Sequence, residues 1–424
     1  MGKIIRLAVA ISLITLCIVF TSCNKTHNNS VENPSNTNFS NTAKIESLVK
    51  TIKQISPSKL KFKEIDLPKG YPSLGGLAVN GNMVFFIAGT GKPAKSVPPC
   101  LLYLEKLFSY NEETKEMQLI AEIDPGFVQI DWVDANEDWV VYREIQEEFG
   151  GPERIYAINR KDSKKELLLE DKGCSDCEGV VSGHPFNLKL WNGNYLIKSD
   201  SKFEPTKRDK SGKITDGLFH ETITLVNLIT KESIVIFNKS APLKTSAAIF
   251  SISVNSSYII FNYAEGGNQI IYGYSFSNGK LRELLTIPLM RDLTESNGYF
   301  VSSILLTEDN YVIFDYPEDL QKNQFLTVIA PIDNIKDMRS IGKTIPNYYA
   351  EWPQTATFNY IVWANRSNDT LYILNRTSGN LTTVKAGLGY LWLSGTELIG
   401  AGSKPLIETD KLTLIFIDLF ENGF

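Results

Sequence analysis

The chain of 424 residues is 43% hydrophobic and 21% charged, with a formal net charge of −5. That apolar content excludes a wholly disordered chain, and the acidic balance argues against the basic face of a nucleic-acid binder. Loss of Lys3 and Arg6 with a cleaved leader would deepen the negative balance.

Residues 1–22 read as a leader. Lys3 and Arg6 precede an apolar stretch, Leu7 to Phe20, of 14 residues. A bilayer span needs about 20, so this length fits the core of a signal peptide. Phe20-Thr21-Ser22-Cys23 then resembles a bacterial lipobox, with Phe20 in place of the usual leucine. The resemblance implies that Cys23 takes a thioether diacylglycerol and becomes the first residue of a lipoprotein. Fatty acyl chains such as palmitate would hold it on a membrane surface without spanning it.

Residues 23–44 read as a disordered tether, with seven asparagines and few apolar residues between Asn24 and Lys44. Residues 45–58 read as a short helix and connector. Ile45, Leu48, Val49 and Ile52 fall on one helical face, which would pack on the outside of the domain that follows.

Residues 59–424 hold a degenerate repeat. Asp138-Trp139-Val140-Val141-Tyr142 recurs near Asn82, Asn194, Ser257, Asn310, Asn359 and, most weakly, Thr396. A turn-forming or polar residue opens each copy, and a short apolar run rich in β-formers follows. A further strand precedes most copies. A hairpin follows, as at Leu371 to Asn375 with Ser378-Gly379-Asn380 at its turn. Four strands per unit, at an average spacing near that of propeller blades, predict an all-β fold. The expected architecture is a β-propeller of seven blades, each with four antiparallel strands, with six or eight left open by the irregular last unit. The last unit supplies only three strands, so Leu60 to Ile65 is predicted to complete it and close the ring.

In such a meander, the links from second to third strand and from each blade to the next share one face. Nearly all the long irregular sequence falls there, including the stretches 89–100, 144–153, 171–186 and 200–220. Long links in a compact domain mark function or mobility. The Asp200 to Lys213 stretch mixes five basic residues with three acidic ones and reads as a solvated loop. Arg143, Asn262 and Asp315 follow the apolar run of three second strands. They are candidates to meet a ligand near the channel mouth, against the plainer reading that they cap strand ends.

Cys174 and Cys177 form Cys-x-x-Cys in a glycine-rich link. A local disulfide and a pair of reduced thiols both remain open, with Cys100 unpaired unless it joins one of them. Zinc would need two more ligands, and only His184 and His220 are at hand in the repeat region, so no metal is assigned. No nucleophile elbow, zinc-protease helix, phosphate loop or dinucleotide fingerprint occurs, so no cofactor and no catalytic residue is assigned. Glu147, Glu148 and Glu265 are exposed-type carboxylates that no spacing singles out, and Tyr348, Tyr349 and Trp352 read as core aromatics.

The repeated strand, with the Tyr372 to Gly379 hairpin after it, resembles the TolB-like group of bacterial propellers over residues 60–424. That group's Ser-Pro-Asp-Gly turn is absent, with Asn80-Gly81-Asn82 and Asn192-Gly193-Asn194 its nearest echoes. The resemblance implies a binding scaffold. The expected function is a lipid-anchored, extracytoplasmic protein whose long-link face binds an envelope protein or glycan, without catalysis. The competing expectation is a propeller enzyme, a polysaccharide lyase or hydrolase, with its site at the channel mouth.

Overall fold

The computed structural model describes residues 45–94, 101–146, 151–172, 185–191, 193–212, 214–242, 247–288, 304–319, 324–344, 354–365, 368–403, 406 and 412–424. Seven sheets, each with four antiparallel strands, form the blades of a β-propeller. Blade 1 comprises Ser73–Asn80, Met83–Gly89, Lys106–Asn111 and Met117–Glu122. Blade 2 comprises Gln129–Ala135, Trp139–Ile145, Glu153–Asn159 and Lys165–Asp171. Blade 3 comprises Pro185–Trp191, Tyr195–Arg208, Ile214–Asn227 and Ser233–Pro242, and blade 4 Ala248–Val254, Tyr258–Glu265, Asn268–Ser275 and Lys280–Pro288. Blade 5 comprises Leu305–Leu306, Tyr311–Asp319, Gln324–Pro331 and Arg339–Thr344. Blade 6 has Thr355–Ala356, Tyr360–Asn365, Thr370–Asn375 and Asn380–Lys385. Blade 7 has Gly387–Ser394, Glu397–Ser403 and Thr413–Asp418, with Lys63–Asp66 paired antiparallel outside the last of these.

Each blade's first strand touches the first strand of the next blade, and that of blade 7 touches that of blade 1. The first strands therefore form the inner ring. Seven apolar clusters fill the seven junctions between blades. The second strands explain why the repeat is so apolar. Side chains alternate across a strand, and both faces of a second strand are covered by neighbouring blades. Val140 and Tyr142 enter the junction with blade 1, while Trp139 and Val141 enter the junction with blade 3. A five-residue run buried on both faces cannot alternate with polar residues.

The outer hairpins repeat a different device. In blades 1, 2, 3 and 6 an asparagine ends the third strand. The side-chain oxygen of Asn111, Asn159, Asn227 or Asn375 accepts a backbone N–H two residues on, at 2.8–3.1 Å. Four residues after each asparagine the backbone turns left-handed, with φ between 58° and 76° at Lys115, Ser163, Lys231 and Gly379. That residue's N–H closes the turn on the asparagine carbonyl. Asparagine favours such turns because its side chain mimics a backbone acceptor.

The expected helix near the N-terminus is not formed. Thr51–Ile55 is a strand, paired parallel with Asn380–Lys385 as a fifth strand outside blade 6. The outer edge of blade 6 offers a row of unpaired backbone groups, and β-branched Thr51, Ile52 and Ile55 suit an extended chain better than a helix. The apolar stripe also splits. Leu48 is buried, whereas Ile52 is 72% exposed. The segment's position on the outside agrees with expectation, but its conformation does not.

This segment runs across three blades. Glu46 and Leu48 exchange backbone bonds with Ser340 of blade 5 at 2.8 and 2.7 Å, and Lys50 donates to the Gly379 carbonyl of blade 6 at 2.8 Å. Lys61 N–H then donates to the Asn422 side chain at 2.7 Å, just before Lys63–Asp66 joins blade 7. A Cβ at Gly379 would lie 2.6 Å from the Leu48 carbonyl oxygen, so its glycine serves both the left-handed turn and the close crossing.

Candidate binding face

Links on the two faces differ in length. On the long-link face the connection from blade 4 to blade 5 takes residues 289–304, whereas the longest link on the opposite, short-turn face takes only residues 332–338. Blade 3 adds a projecting feature to the long-link face. Its second and third strands have 14 residues each, where second and third strands elsewhere have six to nine. The pairing runs on past Ser201–Glu221 to Arg208–Ile214, so this β-hairpin stands proud of the face.

Within the stretch expected to be a solvated loop, Asp200 to Arg208 is strand, because its extended residues pair across the hairpin. Phe203 packs on Phe219 with ring centres 5.0 Å apart. Phe203 also lies against Gly217, where a Cβ would come within 2.2 Å of its ring. Lys202, Lys207, Arg208 and Lys210 are exposed along the outer half. At the base Ser201 donates to Glu221 at 2.5 Å, and Ile249 N–H of blade 4 donates to the same carboxylate at 3.3 Å. Burial pushes Glu221 up to about 7 despite these bonds. His220 bridges Ser240 and Glu204 at 2.7 and 3.0 Å.

Blade 2 carries a charged cluster at the same end. Arg143 makes two bonds to Asp131 at 2.9 and 2.5 Å and lies 3.7 Å from Glu153, which has no exposed surface. Burial opposes the guanidinium charge, but Asp131 and Glu153 outweigh it and hold Arg143 above its ordinary value. On the other side of the strand, Tyr156 donates to Asp124, whose carboxyl is held below its ordinary value. That hydrogen bond lowers it most and outweighs the burial that opposes it, with Lys165 and Arg154 assisting. Glu144 is fully buried and pushed up to about 7 by burial, though it accepts Asp124 N–H at 3.2 Å. Such a carboxyl exchanges protons near neutrality, but its zero exposure keeps it away from a dissolved substrate.

The three candidate ligand residues lie in different junctions. Arg143, Asn262 and Asp315 share side-chain parity with the first residue of their strands, which directs each between its own blade and the next. Asn262 has no exposed surface, and Asp315 is buried and accepts from Thr327 at 2.9 Å. The inner ring is made by first strands, so a second-strand residue is one strand removed from the channel. Asp131, Glu144, Glu153 and Glu221 were not singled out in the sequence; the acidic residues flanking an apolar strand end were the available signal. Cys23, Cys100, Cys174, Cys177, His184, Glu147, Glu148, Tyr348, Tyr349 and Trp352 lie outside the described residues.

Among solved structures, the chain is similar to a puromycin hydrolase S511A mutant complexed with PGG, at 10% identity and a TM-score of 0.52. That likeness covers 87% of this chain and 56% of that one, so it spans about half of the hydrolase. An oligogalacturonate lyase in complex with manganese gives 11% identity and a TM-score of 0.45 over 83% of this chain and 78% of that one. TolB from Acinetobacter baumannii gives 13% identity and a TM-score of 0.37 over 82% and 65%. At these identities the likeness concerns the fold alone, and the class it defines is the β-propeller. No protein-family model matches the sequence, and no curated protein is significantly similar to it.

Proposed function

We propose that the protein is a non-catalytic, extracytoplasmic binding protein that presents its long-link face to an envelope protein or cell-wall ligand. In this reading acylated Cys23 holds it on a membrane, and the tether lets the propeller stand off the surface. The observation that carries the proposal is the ordered hairpin of blade 3, with two 14-residue strands braced by Phe203, Phe219 and Gly217. A rigid scaffold that holds one projecting element on its irregular face is the usual design of a recognition surface.

Cross-linked capture from envelope extracts, read by mass spectrometry, tests this. A ligand captured by the parent and lost on Lys207→Glu with Lys210→Glu supports the hairpin as its site. Capture unchanged by that reversal rejects the hairpin, and turnover of a polysaccharide by the parent would replace the binding reading with an enzymatic one. Cys23→Ala is expected to release the protein from the membrane fraction, and continued membrane association would overturn the lipid anchor.

A further inference from the structure

The short-turn face carries two recesses at corresponding places. One, of about 410 Å³, lies between blades 2 and 3. The other, of about 400 Å³, lies between blades 4 and 5. Their walls match by position in the repeat. Asp138 and Trp139 of the first correspond to Ser257 and Tyr258 of the second, at the start of a second strand. Asn159 and Lys161 correspond to Ser275 and Ser277 at the outer turn, and Asn194 to Asn310 in the following blade.

An aromatic run lies between them, in the junction of blades 3 and 4. Trp191 stacks on Phe276 with centroids 3.5 Å apart and planes within 10°. Tyr195 lies 5.5 Å from Trp191, and Tyr274 meets Phe276 edge-on at 5.8 Å. All four rings are half-buried. Tyr195 follows Asn194 of the first recess in sequence while its ring packs in the junction of blades 3 and 4, and Phe276 lines the second recess, so the rings lie between the two.

We propose that this face binds an oligosaccharide of neutral sugars, with hydroxyl groups held in both recesses and sugar rings laid across the aromatic run. The chemistry of the walls selects this class. The second recess has no charged wall residue and offers serine hydroxyls, each able to donate and accept. In the first, Lys161 pairs with Asp138 and Lys164 with Glu166, each at 2.7 Å, so most of its charge is internally satisfied. Among the described residues, the side-chain N–H groups of Asn159 and Asn194 have no protein partner, because each side-chain oxygen alone is engaged. Such walls reject a lipid chain and attract no polyanion. They suit a ligand dense in hydroxyls that also has apolar C–H faces to lie on aromatic rings.

The test is calorimetric titration of the purified full chain with chitotetraose, cellotetraose and maltotetraose, with N-acetylglucosamine and glucose as single-sugar controls. At least one tetrasaccharide should bind at least tenfold more tightly than its single sugar. Ser256→Arg with Ser277→Arg should weaken it at least tenfold by filling the second recess, and Asp162→Arg should weaken it at the first. All three sites are exposed, so circular dichroism and Tm should match the parent. Failure of all three tetrasaccharides to bind the folded parent would overturn the proposal. So would binding that survives unchanged in both sets of variants.

Discussion

The two faces of this propeller solve the same problem by opposite means. On the short-turn face, repeated side chains do repeated work. Arg160 of blade 2 and Arg376 of blade 6 each donate to a carbonyl in their own blade's inner turn, and each reaches back to a side chain of the preceding blade. Asn136 and Asn255 each close their own turn with the side-chain oxygen, then donate to a carbonyl of the next blade at 3.1 and 2.8 Å. On the long-link face the described residues of blades 2 and 3 are arranged differently: ion pairs in blade 2, a projecting hairpin and a serine–glutamate bond in blade 3. A repeat leaves its inner and outer turns under one geometric rule, whereas its long links answer to none.

The sharpest way to break this contrast is on the long-link face. Arg143→Ala leaves Asp131 and fully buried Glu153 without their cation and should cost about 3–5 kcal/mol, read by denaturant unfolding. Next is Arg376→Ala on the short-turn face. Asp309 would lose two bonds of 2.8 Å, at an expected cost of about 3 kcal/mol. Arg160→Ala, whose partner across the junction is the neutral Asn80, should cost only about 1 kcal/mol. Equal losses for the two arginines would show that the junctions do not distinguish an ionic from a neutral partner.

Proton linkage is a further probe of the long-link face. Glu144 and Glu221 rise from 4.5 in the unfolded chain to about 7 in the fold, so the folded state binds more protons between these values. Their contribution to stability is full below about pH 4.5 and is lost as pH rises through 7. Tm should therefore fall between about pH 4.5 and about pH 7, the range those two values span. Glu144→Gln with Glu221→Gln should flatten that fall, leaving a residue from Glu397, which burial and nearby Glu112 push up to about 7 on the short-turn face. The smallest expected effect has the opposite sign. Ser163→Gly should stabilise the outer turn of blade 2 by up to about 1 kcal/mol, because φ is 58° there and glycine accepts it without strain. A lower Tm would show that the chain entropy of glycine outweighs the relief.

How much was legible follows the same division. All seven second strands begin at the second residue of the recurring stretch, Met83, Trp139, Tyr195, Tyr258, Tyr311, Tyr360 and Glu397. Burial on both faces forces that signal into a short contiguous run. The helical reading of residues 45–55 failed because Ile45, Leu48 and Val49 do meet the core, while Ile52 continues their spacing by coincidence and faces outward. Arg143, Asn262 and Asp315 were visible as polar exceptions, and strand parity alone would have sent them between blades. The two recesses were invisible, since each is made where turns from two blades meet. Asn194 and Asn310 are related by the repeat, but nothing local tells that they line a hollow.

The strap across blades 5, 6 and 7 has a consequence for biosynthesis. Lys61 must find Asn422, a residue 361 positions later, and Thr51–Ile55 must find a strand that ends at Lys385. A ribosome delivers the strap first and its berths last. Until then its strands remain available to wrong partners, and a prematurely released chain has nowhere to lay them. A chain cut short of Asn422 would leave these strand edges bare, and bare edges are open to wrong pairing and aggregation.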